Sequence, residues 1–312
     1  MPATADETLA DEAARRKQAG VIGIAAGVLT IGSGALAAYV YSDKPVVPVI
    51  DALREKLSAN PPAVSLKVDQ ALFYDRHAVS VILVSILLAL AAGLMGLTLT
   101  HLYRSTKARR PEFQRAALVA AIAGAVLVGV SELTLAISVV VQSHELAGMA
   151  HPTSAQARDA LLPPTALAAG VLRQLGVFSL GFAFVLMSLN AMRVGLLTRF
   201  MGVLGIIVGG LFIIPLGASL PIVQAFWLIA IGALFLGYWP PGMPPAWVTG
   251  EAQPWPSQQE LREQRMARKD ASGTSAKPSL RKQRPEPPET PAPEAPARPA
   301  HSSSKKRKRK HR

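Results

Sequence analysis

The chain has 312 residues, a formal net charge of +13, a mean hydropathy of +0.29 and no cysteine. A chain this basic and this apolar is not a single soluble globular domain, and without cysteine it has no disulfide and no thiolate metal or redox site. The last 62 residues hold 16 Lys and Arg against 7 acidic residues, so +9 of the charge lies there. The sequence therefore predicts an all-α membrane protein followed by a disordered basic tail.

Six apolar stretches have about the length that crosses a bilayer as a helix. The hydrocarbon core takes about 20 helical residues, because each residue rises about 1.5 Å. In chain order the predicted spans are 19–41, 78–102, 116–141, 168–190, 200–216 and 221–238. They are continuous rather than alternating, which favours a six-helix transmembrane bundle, a membrane domain over 19–238, and not a β-barrel.

Two regions of this membrane domain allow a second interpretation. The first stretch is longer than a signal-peptide core, so we expect an uncleaved span preceded by a cytoplasmic segment, 1–18. The last two stretches flank Pro215 and Pro221, which predicts a tight helical hairpin. The alternative is that both are half-spans of a re-entrant element.

Basic residues predict the orientation of the spans. If 1–18 is cytoplasmic, the short inside segments hold 10 Lys and Arg in 40 residues, and the outside segments hold 6 in 66. The positive-inside rule then places both termini in the cytoplasm. The largest outer loop, 42–77, has apolar residues at helical spacing from Val46 to Leu57, typical of a helix that lies on the outer leaflet or caps the bundle. The alternative is a lid or a partner-binding helix.

Two charged residues inside the predicted spans are candidates for function, because charges are rare in such places. Glu132 lies near the middle of the third span, and Arg173 lies in the outer part of the fourth. Antiparallel neighbours usually pack together, so we expect an intramembrane pair. Its role is either to fix helix register or to form a proton- or ligand-coupled site. A polar stripe adjoins Glu132: Ser131, Thr134, Ser138 and Gln142.

Small residues recur four positions apart in several spans, a spacing that lets helix backbones approach closely. We expect most of these pairs to pack helices within the chain and a minority to mark an oligomer face. The pairs are Gly23 and Gly27, Ala89 and Gly93, Ala92 and Gly96, Ala120 and Gly124, and Gly205 and Gly209.

No motif in the sequence indicates catalysis. His144, Glu145 and His151 share a predicted outer loop, but their spacing differs from the helical zinc motif. A phosphate-binding Gly-rich loop and a Gly-x-Ser-x-Gly elbow are both absent from the sequence. We therefore expect a protein that is not an enzyme, with no cofactor and no metal.

A segment rich in Trp and Pro, 239–256, follows the last span. Trp239, Trp247 and Trp255 recur every eight residues, and the prolines exclude a continuous helix. Trp rings favour the headgroup layer, so we expect interfacial anchors. The alternative is a docking strip that covers the inner mouth of the bundle.

The segment 193–256 also carries a resemblance. It reads RVGLLTRF at 193–200, MGVLG at 201–205, QAFWL at 224–228, LGYWPPGMPPAW at 236–247 and PWP at 254–256. This segment resembles an uncharacterised family of bacterial multi-pass membrane proteins. The resemblance implies a protein of the bacterial plasma (inner) membrane and implies no activity.

The last region, 257–312, is predicted to be a disordered, Pro-rich basic tail. A short polar helix from Ser257 to about Lys269 opens it, and its later composition is unable to bury a core. It ends in a basic arm: Lys305, Lys306, Arg307, Lys308, Arg309, Lys310 and Arg312. The arm is a solvated tail, a site for anionic lipid headgroups, or a non-specific site for nucleic acid.

The sequence as a whole favours an integral membrane protein of structural or interaction type, whose arm meets membrane lipids or a macromolecular partner. The alternative is a small transporter or channel subunit that uses Glu132 and Arg173. An enzyme ranks third.

Overall fold

The structure is a computed structural model that describes residues 5–46, 66–214, 221–240 and 242–255, with 260, 262–263 and 265–268. The described residues form α-helices and loops and contain no strand. The chain divides into two compact units, Met1–Pro256 and Ser257–Arg312. In the second unit the described residues are helical, within the predicted Ser257–Lys269 helix. The rest of the tail, including the basic arm, lies outside the described residues.

The described part of the first unit holds nine helices. They are α1 (Ala5–Val40), α2 (Leu66–Arg76), α3 (Ala78–Arg109), α4 (Ala116–Ala147), α5 (Ser154–Leu161), α6 (Pro164–Arg193), α7 (Arg199–Ile213), α8 (Ile222–Leu236) and α9 (Ala246–Thr249).

Local sequence signals explain where several helices begin and end. Thr153 and Gln156 form a reciprocal capping box at the start of α5. Pro164 opens α6 at a position where its missing N–H costs nothing. Thr198 accepts a hydrogen bond from the Met201 N–H and so caps α7.

Four stretches among the described residues are long and apolar enough to cross a membrane. They are Leu9–Val40, Ala78–Arg109, Ala116–Ala147 and Ser154–Arg193, the last made of α5 and α6 together. Two further apolar helices, α7 and α8, have 15 residues each. A helix of that length rises about 22 Å, less than the roughly 30 Å of a hydrocarbon core. These two helices occupy the predicted fifth and sixth spans but are shorter than predicted.

The long helices also extend beyond the predicted spans. Helix α1 begins at Ala5, so most of the segment 1–18 continues the first helix instead of preceding it. Helix α2 occupies the end of the predicted outer loop 42–77, where we expected no helix. The helix predicted from Val46 to Leu57 lies outside the described residues after Val46, as does the turn 215–220 between α7 and α8.

The six apolar helices form a ring. Neighbours pack in the order α1, α3, α4, α6, α7 and α8, and α8 returns to α1. Helices α2 and α5 pack against each other and against α4, close to the C-terminus of α1. We name this end of the bundle the cap end. The opposite end, where α1 begins and α9 packs against it, is named the strip end.

Small residues let these helices approach closely. A Cβ on Gly232 of α8 would lie 2.6 Å from the backbone nitrogen of Ile24 on α1. A Cβ on Gly124 of α4 would lie 2.8 Å from the backbone nitrogen of Leu180 on α6. Most glycines of the predicted small-residue pairs make such contacts within the chain, whereas Gly93 faces open space.

Candidate functional site

The structure brings Glu132 and Arg173 together as an ion pair between α4 and α6. The Arg173 Nε–H donates to Glu132 Oε1. The carboxylate side chain is only 12 % exposed, whereas the guanidinium side chain is 49 % exposed. Helices α4 and α6 run antiparallel and pack along their length, so the pair is positioned by continuous helices and not by loops.

Two cavities meet at this ion pair. One, of 400 Å³, extends towards the cap end and has mostly apolar walls, among them Val84 and Val139. The other, of 210 Å³, reaches Gln224 on α8. Glu132, Arg173 and Leu88 line both cavities. The ion pair is therefore the charged part of two mostly apolar cavities, an arrangement typical of small-molecule sites.

Aromatic and basic side chains form the rim of the larger cavity at the cap end. Tyr41, just after α1, and Tyr74 on α2 both line it. The Lys44 ammonium donates a 2.8 Å hydrogen bond to the Tyr74 hydroxyl. The same ammonium lies 5.0 Å from the Tyr74 ring centre and 6.0 Å from the Tyr41 ring centre, which adds cation–π attraction.

The apolar centre of the strip-end half of the bundle is closely packed. Beyond Met95, which borders the smaller cavity, Leu99 and Leu102 of α3 are fully buried. Phe184 packs edge-on against Trp227, with ring centres 5.1 Å apart, and both side chains are fully buried. The two cavities at the ion pair are thus separated from the strip end by apolar side chains.

A second ion pair lies at the strip end, and both of its side chains are buried. Both oxygens of Glu12 accept hydrogen bonds from Arg109, at 2.9 Å for Oε2. Arg109 also donates to the carbonyls of Ser105, at 3.1 Å, and Ala246, at 2.7 and 3.1 Å. Its guanidinium carbon lies 5.4 Å from the Trp247 ring centre. These contacts join the start of α1, the end of α3 and the Trp/Pro segment, and we name them the strip-end lock.

The Trp/Pro segment (239–256) packs onto the bundle at this lock. The Trp247 indole donates a 2.8 Å hydrogen bond to the Leu196 carbonyl, and its side chain is only 4 % exposed. The Trp255 indole donates to the Leu197 carbonyl, also at 2.8 Å. Trp247 is therefore part of the core and does not present its ring to a headgroup layer. Trp239 is half-buried, and its indole N–H has no hydrogen-bond partner among the described residues.

The other predicted site residues lie apart from the ion pair. Ser131 is buried and bonds to the Val128 carbonyl of its own helix. None of the four stripe residues is among the described residues that line the two cavities. His144 contacts Asp75 at 2.8 Å. Among the described residues, no group of three or more His, Cys, Asp or Glu side chains could hold a metal ion.

Sequence reasoning missed the strip-end lock and the cavity rim. It counted Arg109 only among the basic residues that predict orientation, and Glu12 only as part of the cytoplasmic segment 1–18. Glu12 and Arg109 lie outside the predicted spans 19–41 and 78–102, and the structure buries both of them within the long helices. If the first predicted helix had been continued back to Ala5, it would have placed Glu12 against α3.

Comparison with protein-family models, with curated proteins and with solved structures finds no match for this chain.

Proposed function

We propose that the protein is a six-span integral membrane protein of structural or interaction type, which holds its basic C-terminal arm on the cytoplasmic side of a bacterial inner membrane. The strip-end lock supports this proposal. It anchors the Trp/Pro segment through Arg109 and Trp247, so the chain leaves the bundle from a fixed position before the tail begins. The density of basic residues at the strip end supports a cytoplasmic location for that end.

The arm is proposed to bind anionic lipid headgroups of the inner leaflet. Each Lys or Arg near such a surface contributes about 1 kcal/mol, and the arm has seven of them. Nucleic acid is the competing partner. The test compares the full chain with a chain lacking 271–312, both reconstituted in zwitterionic nanodiscs, for binding to anionic vesicles and to duplex DNA at matched salt. Stronger binding of the full chain to vesicles supports the proposal, and equal binding by both chains contradicts it.

Crosslinking in cells with these two chains tests the interaction type independently. We expect the full chain to acquire crosslinked partners that the chain lacking 271–312 does not acquire. The matched control replaces the seven basic residues of the arm by Gln, which keeps the tail length and removes its charge. Partners that are identical in all three samples would contradict a role for the arm.

A second candidate function is a small transporter or channel subunit, and the two cavities at the Glu132–Arg173 pair favour it. Charged residues inside membrane bundles usually line solute or proton pathways. We expect Glu132→Gln to leave membrane insertion intact and to change proton-linked flux in reconstituted vesicles. Unchanged flux would remove this candidate for the ion pair.

A further inference from the structure

The guanidinium of Arg173 has hydrogen-bonding capacity that the described residues leave unused. A guanidinium carries five N–H donors, and here the Nε–H donates to Glu132. No acceptor for the terminal nitrogens of Arg173 is found in the part of the chain that the structure describes. The Arg173 side chain is 49 % exposed, so these nitrogens are accessible to an acceptor that enters the cavities.

The free edge of this guanidinium has the geometry of a carboxylate site. With Nε engaged by Glu132, the edge formed by the two terminal nitrogens remains, and that edge binds a carboxylate through two parallel hydrogen bonds. The cavity walls around Arg173 are mostly apolar, for example Leu88, Val139 and Leu180. Apolar walls suit a ligand with a short hydrocarbon chain better than a fully hydrated anion such as phosphate.

Charge balance at the site then involves Glu132. With Glu132 ionised, the ion pair is neutral, and a bound carboxylate would add a negative charge beside the Glu132 side chain, which is only 12 % exposed. Protonation of Glu132 cancels that charge. Among the described residues, the titratable or charged groups that line this cavity with Glu132 are Arg173 from α6, Tyr41 after α1 and Tyr74 from α2. Helix α3 contributes only uncharged side chains such as Ser85 to this cavity.

We propose that the Glu132–Arg173 pair is a binding site for a small organic monocarboxylate, and that binding takes up one proton at Glu132. The carboxylate binds the terminal nitrogens of Arg173, and its hydrocarbon chain occupies the apolar cavity. The proton comes from solvent and stays on the Glu132 carboxyl group while the ligand is bound. This proposal rests on the transporter candidate given under Proposed function, and it specifies the class of solute that the ion pair would bind.

Calorimetric titration of the purified full chain with butanoate, at a series of pH values, tests the proposal. We expect binding to tighten up to about tenfold for each unit by which the pH falls, with net uptake of one proton. Inorganic phosphate is the second probe and is expected to bind at least about tenfold more weakly than butanoate. No binding of butanoate, binding without proton uptake, or tighter binding of phosphate would overturn the proposal.

Variants separate a binding role from a structural one. Arg173→Gln should abolish butanoate binding, and Arg173→Lys should weaken it about tenfold or more because the paired donors are lost. Glu132→Gln should still bind butanoate, with no pH dependence and no proton uptake. The matched control is Arg193→Gln, at the other end of α6, which should bind as the natural chain does. Unchanged binding by Arg173→Gln would overturn the assignment of the site.

The repeat of the titration in nanodiscs distinguishes a solute from a lipid as the source of the anion. Butanoate binding that persists in anionic nanodiscs supports a solute site. If butanoate binds in zwitterionic nanodiscs but not in anionic ones, lipid headgroups occupy Arg173. That result would overturn the proposal of a solute site. These binding results are independent of flux, so they fail or succeed separately from the transporter candidate.

Discussion

Arg109→Met tests whether the strip-end lock holds that end of the bundle together. The Arg109 side chain has 0 % exposure and that of Glu12 has 9 %. The substitution leaves the Glu12 carboxylate buried without its partner and removes the donors to the carbonyls of Ser105 and Ala246. Breaking a buried ion pair by removing one partner costs about 3–5 kcal/mol, and we expect a loss of this size in the free energy of unfolding.

A second substitution separates the energetic cost of the unpaired Glu12 carboxylate from the cost of the lost hydrogen bonds. Adding Glu12→Leu to Arg109→Met removes the unpaired carboxylate, so the double variant should recover about 2 kcal/mol relative to Arg109→Met alone. Recovery should be incomplete, because the Ala246 carbonyl still lacks the two hydrogen bonds that Arg109 donates in the natural chain.

The assay is denaturant titration in mixed micelles, followed by Trp fluorescence, since the Arg109 guanidinium lies 5.4 Å from the Trp247 ring centre. The matched control is Arg15→Met. Arg15 pairs with Asp11 at 3.1 Å, but both side chains are more than half exposed, so the expected change is below about 1 kcal/mol. If Arg109→Met costs no more than Arg15→Met, the argument for a stabilising lock fails.

Three further substitutions test the packing of the strip and of the ring. Gly195→Ala should detach the Trp/Pro segment from the bundle, because Gly195 has a φ of +78° and a Cβ there would lie 2.1 Å from the Gln253 carbonyl oxygen. We expect faster proteolysis of the chain after α8. Gly232→Ala should cost about 1–3 kcal/mol in the mixed-micelle titration, because its Cβ would meet the α1 backbone at 2.6 Å. Trp247→Phe removes the indole hydrogen bond to the Leu196 carbonyl and should lose about 1 kcal/mol in the same titration followed by circular dichroism, because the variant lacks the Trp247 fluorophore. The control for both glycine variants is Gly32→Ala, which faces open space.

Each of these predictions has a result that contradicts it. Proteolysis of Gly195→Ala at the rate of Gly32→Ala would show that the strip does not pack as described. A Gly232→Ala variant as stable as Gly32→Ala would remove the close contact between α1 and α8. A Trp247→Phe variant with unchanged stability would show that its indole hydrogen bond contributes nothing.

Hydropathy was sufficient to locate the apolar helices. The predicted starts at 78 and 116 coincide with Ala78 and Ala116, because the change from polar to apolar composition is abrupt there. The ends were less predictable. Helices α3 and α4 continue past the last apolar turn to Arg109 and Ala147, since their polar side chains find partners such as Glu12 and Asp75. A hydropathy window does not report those partners.

The ion pair was predictable in part. Two isolated charges on antiparallel neighbouring helices were enough to predict the contact between Glu132 and Arg173. Their positions along the two helices bring the side chains to the same level of the bundle. The cavities beside them were not predictable, because they depend on which side chains of α3 and α4 leave space between them. Helix α2 was missed because its short sequence has no separated apolar face, although Val68, Ala71 and Phe73 are buried.

Labelling of single cysteines in membranes tests the central proposal most directly: a membrane-embedded bundle whose tail is cytoplasmic. The chain has no cysteine, so Ser42→Cys and Ser303→Cys each introduce one thiol. Ser42 is exposed at the cap end, and Ser303 lies two residues before the basic arm. With a membrane-impermeant maleimide, we expect Ser42→Cys to react in spheroplasts and Ser303→Cys to react only in inverted membrane vesicles. Reaction of both thiols from the same side, or of Ser303→Cys in spheroplasts, would contradict the proposal.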